Sequence, residues 1–192
     1  MLNAWPHSKI STWLTTLLAV TGNTDAQLNL AYRYWTDKDT TEYPKKAVYW
    51  CHKAAESGDP EAEYLMALFH VMGFGVEKNP KEIFHWYKRA AEQGHASAEH
   101  AVGWCYEQGI GVEKDEEKSV YWWLKSAEKG IAESQAGLAH YYIEGLGVPR
   151  DLEIARSWYE KAVNNSHEDL EPQLEEIRHK LDMAREGNET DA

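Results

Sequence analysis

The sequence predicts an all-α solenoid of helix-turn-helix repeats with a period of 36 residues, and three recurring features lead to this fold class. Tryptophan recurs at this interval, at Trp50, Trp86, Trp122 and Trp158. Glycine follows the same step at Gly58, Gly94 and Gly130. A Gly-x-Gly-Val phrase recurs at residues 73–76, 109–112 and 145–148. Self-similarity at a fixed period of this length is typical of stacked supersecondary units.

The first helix of each unit, helix A, carries small or apolar residues at offsets 0, +4, +5 and +8 from Ala26, Ala62, Ala98 and Ser134. This spacing is one face of a helix with 3.6 residues per turn. Offset +5 holds only alanine or glycine, at Ala31, Ala67, Gly103 and Ala139. We therefore expect the two helices of a unit to approach closely there. The Gly-x-Gly-Val phrase ends helix A, because glycine tolerates the left-handed conformation that stops a helix.

The second helix, helix B, begins at a capping residue, which is Asn79, Asp115 or Asp151. It is predicted to end at the glycines of the 58, 94 and 130 series. We expect helix B to bury the tryptophan of each unit and the residue three positions earlier. These earlier residues are Ala47, Ile83, Ser119 and Ala155.

The period divides the chain into caps and repeats. Residues 1–24 are predicted to form an N-terminal capping half-repeat, because Leu14 falls at the tryptophan position; a signal peptide over residues 10–20 is the alternative. Four repeats follow at 25–60, 61–96, 97–132 and 133–168, the first with an irregular loop in place of the glycine turn. Residues 169–187 are predicted to be a capping helix and 188–192 a disordered tail. The apolar stripe of the capping helix is Leu170, Leu174, Ile177 and Leu181.

Composition limits the partners. The formal charge of −12 and the pI near 5.2 oppose binding to nucleic acids and to anionic membranes, so we expect a basic or neutral protein or peptide. No apolar stretch approaches the ~20 residues of a membrane-spanning helix. Cys51 and Cys105 lie in different repeats, which predicts free thiols and a reducing, cytoplasmic compartment. A periplasmic location remains the alternative if the N-terminus is a signal segment.

The motif that repeats here is Ala-x-x-x-Leu-(Gly/Ala)-x-x-Tyr-x-x-Gly-x-Gly-Val-x-x-(Asp/Asn), followed by Trp-Tyr and Lys-Ala-Ala-Glu-x-Gly. It is seen best in 61–94 and 98–130. This pattern resembles the Sel-one-like (Sel1-like) repeat, a relative of the tetratricopeptide repeat, over residues 25–166. The resemblance implies a right-handed superhelix with A helices on its concave surface, and a scaffold role without an enzymatic site. Some bacterial members of this family act as immunity partners of toxins.

Offsets +2, +6 and +9 of helix A remain after the packing positions are removed, and they form an aromatic and apolar stripe. Its residues are Leu28, Tyr32, Trp35, Tyr64, Leu68, Val71, His100, Trp104, Glu107, Ala136, His140 and Ile143. One interpretation is packing between adjacent A helices. The other is a partner-binding groove, because tyrosine and tryptophan supply much of the binding energy at protein interfaces. We favour the groove, with Tyr32, Tyr64, Trp104 and His140 contacting a partner segment.

No motif for catalysis, metal or cofactor stands out. The Gly-x-Gly phrases follow helices, whereas phosphate loops follow strands. Glu82 with His85 and Glu176 with His179 are half-motifs of carboxylate metal sites, but they lie in distant units. We therefore expect a non-enzymatic, cofactor-free interaction module in which self-association is possible. An immunity or antitoxin-like inhibitor is the first alternative, and a hydrolase on a repeat scaffold is a remote one.

Overall fold

The computed structural model describes residues 7–36 and 42–165, together with the single positions 172, 175 and 179. All regular secondary structure within these residues is α-helix, which confirms the predicted fold class. The helices are α1 (His7–Val20), α2 (Thr24–Thr36), α3 (Tyr43–Glu56), α4 (Pro60–Met72), α5 (Pro80–Glu92), α6 (Ala96–Gln108), α7 (Glu116–Glu128), α8 (Ala132–Glu144) and α9 (Leu152–Asn165). The irregular first loop, the C-terminal capping helix and the tail fall largely outside the described residues.

The chain divides into two compact units, Met1–His95 (unit 1) and Ala96–Ala192 (unit 2). In unit 1, α2 and α4 are A helices, while α3 and α5 are B helices. In unit 2, α6 and α8 are A helices, while α7 and α9 are B helices. Helix α1 ends at Val20 and is followed by Gly22, whose positive φ of 94° matches the glycines that follow α3, α5 and α7.

Local sequence signals set the helix ends as predicted. Helix α4 ends at Gly73, which is left-handed with φ 70°, and α8 ends in the same way at Gly145. At the start of the B helices, the side chain of Asn79 accepts from the backbone N–H of Lys81 at 3.1 Å. The Asp115 carboxylate accepts from the backbone N–H of Lys118 at 2.9 Å.

The recurring tryptophans occupy equivalent helix positions but differ in burial. Trp86 and Trp122 are buried, as predicted, whereas Trp50 and Trp158 are only half-buried. Trp50 packs against Ala19, Ala26 and Leu30. Trp158 packs against a cluster that contains Ala127 and Leu138, which stand in the same registers as Ala19 and Leu30. The two outer tryptophans therefore share one kind of contact, although each leaves part of its ring accessible.

A cation lies over the tryptophan ring in three of the repeats, always from the residue three positions later. Arg89 lies 5.0 Å from the centroid of Trp86, and Lys125 lies 4.9 Å from that of Trp122. Lys161 lies 3.9 Å from the centroid of Trp158. Each pair adds about 0.5–1 kcal/mol at a surface site. Lysine or arginine side chains therefore cover one side of the tryptophan ring in these three repeats.

The small residues at offset +5 allow helices A and B to touch, as predicted. Ala31, Ala67 and Ala139 are fully buried at this position. In α6 the residue is Gly103, whose carbonyl accepts from the hydroxyl of Ser119 on helix B at 2.9 Å. A larger side chain at offset +5 would separate the two helices of the unit.

Offset +1 of helix A was not predicted to be buried, yet it carries two glutamates and two glutamines with little or no exposure. They are Gln27, Glu63, Glu99 and Gln135. Three of the four have a partner at the end of helix B in the same repeat. Gln93 donates to Glu63 at 2.7 Å, Lys129 to Glu99 at 2.6 Å, and Asn165 to Gln135 at 3.0 Å.

The two buried carboxylates are balanced by cations. Arg89 lies 2.7 Å from Glu63 and also donates to the carbonyl of Ala55 at 3.3 Å. Gln27 and Gln135 donate to the carbonyls of Ala19 and Ala127, which are in the Ala55 register. In these three contacts, each of which lies within one unit, a side chain satisfies the carbonyl of this register.

Both cysteines are free and buried, which confirms the prediction of free thiols. The Cys51 thiol donates to the carbonyl of Ala62 at 3.2 Å, and burial raises its pKa. Burial raises the pKa of Cys105 to about 12. Both thiols therefore stay protonated at neutral pH and act as packing groups. Within the described residues no helix combines the length and the apolar character that a membrane crossing requires.

The Glu99–Lys129 pair yields the first prediction. We expect Lys129→Asn to lower the free energy of unfolding by about 1–3 kcal/mol, because the buried carboxylate loses its cation. The double variant Glu99→Gln/Lys129→Asn recreates the Gln135–Asn165 pair of the next repeat and should recover most of that loss. Urea unfolding followed by circular dichroism measures both. A double variant less stable than Lys129→Asn would contradict the assignment.

Candidate partner-binding surface

The predicted stripe divides between the two units, and each part is described by itself. The unit 1 stripe consists of Leu28, Tyr32, Trp35, Tyr64, Leu68 and Val71. All six side chains are half-buried. The unit 2 stripe consists of His100, Trp104, Glu107, Ala136, His140 and Ile143. In this stripe Trp104 and His140 are exposed, whereas the other four residues are half-buried.

In unit 1 the stripe joins neighbouring A helices. The hydroxyl of Tyr32 donates to the carboxylate of Glu61, and this contact raises the pKa of Tyr32, although burial is the larger cause. The ring of Trp35 meets Phe69 edge to face at 5.9 Å. These contacts fit the packing interpretation. They also fix the orientation of both rings.

A second cluster in unit 1 surrounds Glu61. His95 Nε2 lies 2.9 Å from a carboxylate oxygen of Glu61, and the His95 ring stacks on Tyr64 at 4.7 Å. Burial raises the pKa of the Glu61 carboxyl, but the hydrogen bonds from Tyr32 and His95 and the charge of His95 outweigh it and leave the pKa below its usual value. Glu61 is therefore a charged group that its own chain surrounds with donors. In unit 1, Glu61 and His95 therefore already contact the tyrosines of the stripe.

In unit 2 a chain of hydrogen bonds fixes the tautomer of His100. The hydroxyl of Ser126 donates to the carbonyl of Ala96 at 3.0 Å, so Ser126 can only accept from Ser134, at 2.9 Å. The one hydroxyl proton of Ser134 is thereby used, and Ser134 must accept from Nδ1 of His100, at 2.8 Å. His100 therefore carries its proton on Nδ1. In the neutral ring Nε2 is then a hydrogen-bond acceptor.

Two carboxylates lie near the imidazole of His100. Burial lowers the pKa of His100, while the charges of Glu133 and Glu107 act in the opposite direction. Because burial dominates, the ring is neutral at physiological pH and keeps Nε2 as an acceptor. Glu133 is exposed and Glu107 is half-buried. The unit 2 stripe and the neighbouring Glu133 thus combine a neutral imidazole, an exposed indole and two carboxylates.

The side chain of Trp123 packs against the two A helices that carry the unit 2 stripe. Its indole lies between α6 and α8, where a Cβ added to Gly103 would come within 2.3 Å of Cδ1, and one added to Gly137 within 3.1 Å of Cζ3. The indole N–H donates to the carbonyl of His100 at 3.1 Å. The ring also meets Tyr141 edge to face at 5.0 Å. The position of His100 therefore depends on two glycines that accommodate one tryptophan.

Trp104 is the most unusual member of the stripe. Its side chain is 38 % exposed, although it lies on helix A one turn after His100. Other exposed large apolar residues in unit 2, such as Tyr121 and Ile154, lie on B helices. An accessible indole among polar acceptors can bind a partner by both stacking and hydrogen bonding.

The structure brings together several residues that sequence reasoning did not assign to the surface. Glu61, His95, Glu133 and Ser134 all contact or lie close to stripe residues. Their common feature is a position at or just before the start of a helix A. Within each unit, offset +2 or +6 of a helix A lies against residues at or just before the start of the following helix A. A register comparison between successive repeats would have found them.

The described residues contain no arrangement of side chains that fits the catalytic or metal-binding alternatives. Groups of three or more His, Cys, Asp or Glu side chains that could hold a metal ion do not occur there. The Glu82 and His85 pair lies on α5, whereas Glu176 is outside the described residues. The proton of the Ser134 hydroxyl points to Ser126, so His100 does not act as its base.

The geometry defines a helical-repeat protein whose A helices carry accessible aromatic and acidic groups. The sequence profile of the Sel1 repeat matches residues 24–59, 60–95, 96–131 and 132–167. The chain belongs to the Sel1 repeat family. This is the family expected from the repeated motif, and its scaffold is generally a non-enzymatic protein-binding fold.

Solved structures support this assignment. The chain is similar to a protective antigen of uropathogenic Escherichia coli with an SLR fold, at 36% identity and a TM-score of 0.77, over 81% of this chain and 33% of that one. It is also similar to a Sel1 repeat protein of Oxalobacter formigenes, at 31% identity and a TM-score of 0.78, over 86% of this chain and 48% of that one. The chain thus spans a third and about half of these two proteins.

A more distant likeness concerns the fold alone. Cysteine rich protein B of Helicobacter pylori shares 24% identity with a TM-score of 0.54, over 69% of this chain and 96% of that one. A comparison with curated proteins gives no match.

The contact beneath His100 yields the second prediction. Gly103→Ala should lower the free energy of unfolding by about 1–3 kcal/mol, because the new methyl group forces the Trp123 indole to move. Gly137→Ala should cost less, since its closest approach to the ring is 3.1 Å. Urea unfolding compares the two, and both substitutions raise helix propensity equally. A Gly103→Ala protein as stable as Gly137→Ala would contradict the described position of the indole.

Proposed function

We propose that this protein is a non-enzymatic interaction module that binds a protein or peptide through its A-helix stripes. The residues assigned to partner binding are Leu28, Tyr32, Trp35, Tyr64, Leu68, His100, Trp104, His140 and Ile143. The observation that carries the proposal is the exposed indole of Trp104 on helix A, one turn after His100, which Ser134 and Trp123 hold in place by hydrogen bonds. Membership in the Sel1 repeat family supports a role in protein interactions.

The two stripes contribute differently to this proposal. In the unit 1 stripe, Tyr32 and Tyr64 are held by Glu61 and His95, so they offer a fixed, half-exposed aromatic surface. In the unit 2 stripe, Trp104 and His140 are accessible and can gain contact area on binding. Energy at interfaces concentrates in a few large side chains that lose their water. Trp104 is therefore expected to dominate, with the tyrosines as supporting contacts.

The inhibitor alternative receives no support from the similar proteins described above, none of which is named as an immunity protein. A binding module of the scaffold type is the function that the surface favours. The cytoplasmic location and the absence of a cofactor remain predictions of the sequence.

Replacing the exposed indole gives the third prediction. The protein recovered with the wild-type chain from its source cells is identified, purified and titrated by isothermal calorimetry. Trp104→Ala should weaken its binding about 30-fold or more, which corresponds to a hot spot of about 2 kcal/mol. Because Trp104 is already partly exposed, the helical circular dichroism spectrum should be unchanged.

Tyr121→Ala provides the matched control. Tyr121 is a 53 % exposed aromatic residue on helix B of the same unit, so its loss removes a similar apolar surface from the opposite type of helix. We expect less than a twofold change for this variant. Strong weakening by Tyr121→Ala together with unchanged binding by Trp104→Ala would overturn the proposed function.

A further inference from the structure

Charged residues are divided unequally between the two kinds of helix. Across the A helices α2, α4, α6 and α8, Arg33 is the one lysine or arginine. Every helix B from α3 to α9 carries at least two. Helices α6 and α8 of unit 2 contain no lysine or arginine, while they contain four glutamates. The negative charge of the A helices is thus not balanced on the A helices themselves.

Two of the four glutamates in α6 and α8 are exposed. Glu99 is buried and paired with Lys129, and Glu107 is half-buried and accepts from Nε2 of Gln108 at 3.0 Å, whereas Glu133 and Glu144 are exposed. Glu107 and Glu133 lie close enough to His100 to act on its pKa. Arg150 lies at the other end of α8, where it donates to the carbonyl of Ile143 at 2.9 Å. Acidic side chains therefore lie near His100, which is one helical turn from Trp104.

Comparison with unit 1 shows how the two units differ at the described residues of these registers. Trp104 stands in the register of Tyr32, at offset +6, and Glu133 stands in the register of Glu61, just before offset 0. In unit 1, the carboxylate of Glu61 accepts from Tyr32 and pairs with His95, whose ring stacks on Tyr64. Unit 1 thus supplies its own donors and a stacked ring to this carboxylate. An indole at offset +6 has no hydroxyl to offer Glu133, and Glu133 is exposed.

A planar cation from a partner fits the described groups of unit 2. Its face can stack on the indole of Trp104, since tryptophan is the preferred ring for cation–π contacts. Its N–H groups are suited to the exposed carboxylate of Glu133, which lies near His100, and to the Nε2 acceptor of His100. Arginine presents five donors in a fixed plane and is weakly hydrated, so it meets these requirements better than lysine does.

We propose that the unit 2 stripe, together with Glu133, binds an arginine side chain within a basic segment of the partner, with Trp104, Glu133 and His100 as its contacts. This inference rests on the proposed function, because it names the partner chemistry for the same surface. The net charge of −12 draws any basic segment toward the chain, but the indole and the directed acceptors select arginine at this one place.

The test uses two-dimensional ¹H–¹⁵N spectra of the full chain at physiological salt, with a defined probe. The probe is a seven-residue glycine and serine peptide that contains two arginines. The indole N–H signal of Trp104 is assigned by its disappearance in Trp104→Phe. Addition of the peptide should shift this signal together with amides of α6 and α8. The same peptide with citrulline, which is planar but uncharged, should produce no saturating shift, and the lysine version should bind more weakly.

Variants of equal charge separate the site from general attraction. Glu133→Gln should weaken peptide binding about threefold or more, a loss of about 0.7 kcal/mol for one charge-assisted contact. Glu128→Gln removes the same charge from an exposed position at the end of α7, and it should change binding less than twofold. Equal effects of the two variants, shifts confined to the B helices, absence of binding, or equal binding of the citrulline peptide would each overturn the arginine site.

The two proposals fail in different ways. If the arginine peptide does not bind but Trp104→Ala still abolishes binding of the purified partner, the arginine site is wrong and the A-helix surface stands. If neither the peptide nor the partner depends on Trp104, the proposed function fails as well. If the partner depends on Trp104 and its bound segment contains a required arginine, both are supported.

Discussion

The close contact between helices A and B at offset +5 is the constraint on which the other features of each repeat depend. Alanine or glycine at this position lets the helix backbones approach, and Ala31, Ala67 and Ala139 are fully buried there. Where the residue is Gly103, the space is taken by the indole of Trp123, which also contacts α8 at Gly137. Because interiors are closely packed, the size of this residue determines how the A helices sit on the B helices.

That packing leaves the side chains at offsets +2, +6 and +9 half-buried or exposed, so these positions can differ between repeats without loss of the fold. The two units use this freedom differently. Unit 1 joins Tyr32 to Glu61 and thereby satisfies its own acidic group, whereas unit 2 places Trp104 and Glu133 in the same registers. Variation at positions that do not hold the repeat together is what permits a repeat scaffold to acquire a specific surface.

The fold could be predicted from the sequence because period, helix caps and turn glycines all indicate the same structure. Asn79 and Asp115 cap as expected, and Gly73 takes the left-handed conformation that ends α4. The buried carboxylate of Glu99 was missed, since a glutamate on a helix is ordinarily solvated and its partner, Lys129, is thirty residues away. The tautomer of His100 could not be predicted either, because it depends on hydroxyl contacts that form only in the folded structure.

Hydrogen–deuterium exchange of the chain alone and with its purified partner tests most directly whether the A helices form the recognition surface. If the A helices form this surface, we predict slower exchange in α6 and α8 on binding, with little change in α7, which lies between them in the sequence. Protection confined to α7 or to the other B helices, with α6 and α8 unchanged, would contradict it.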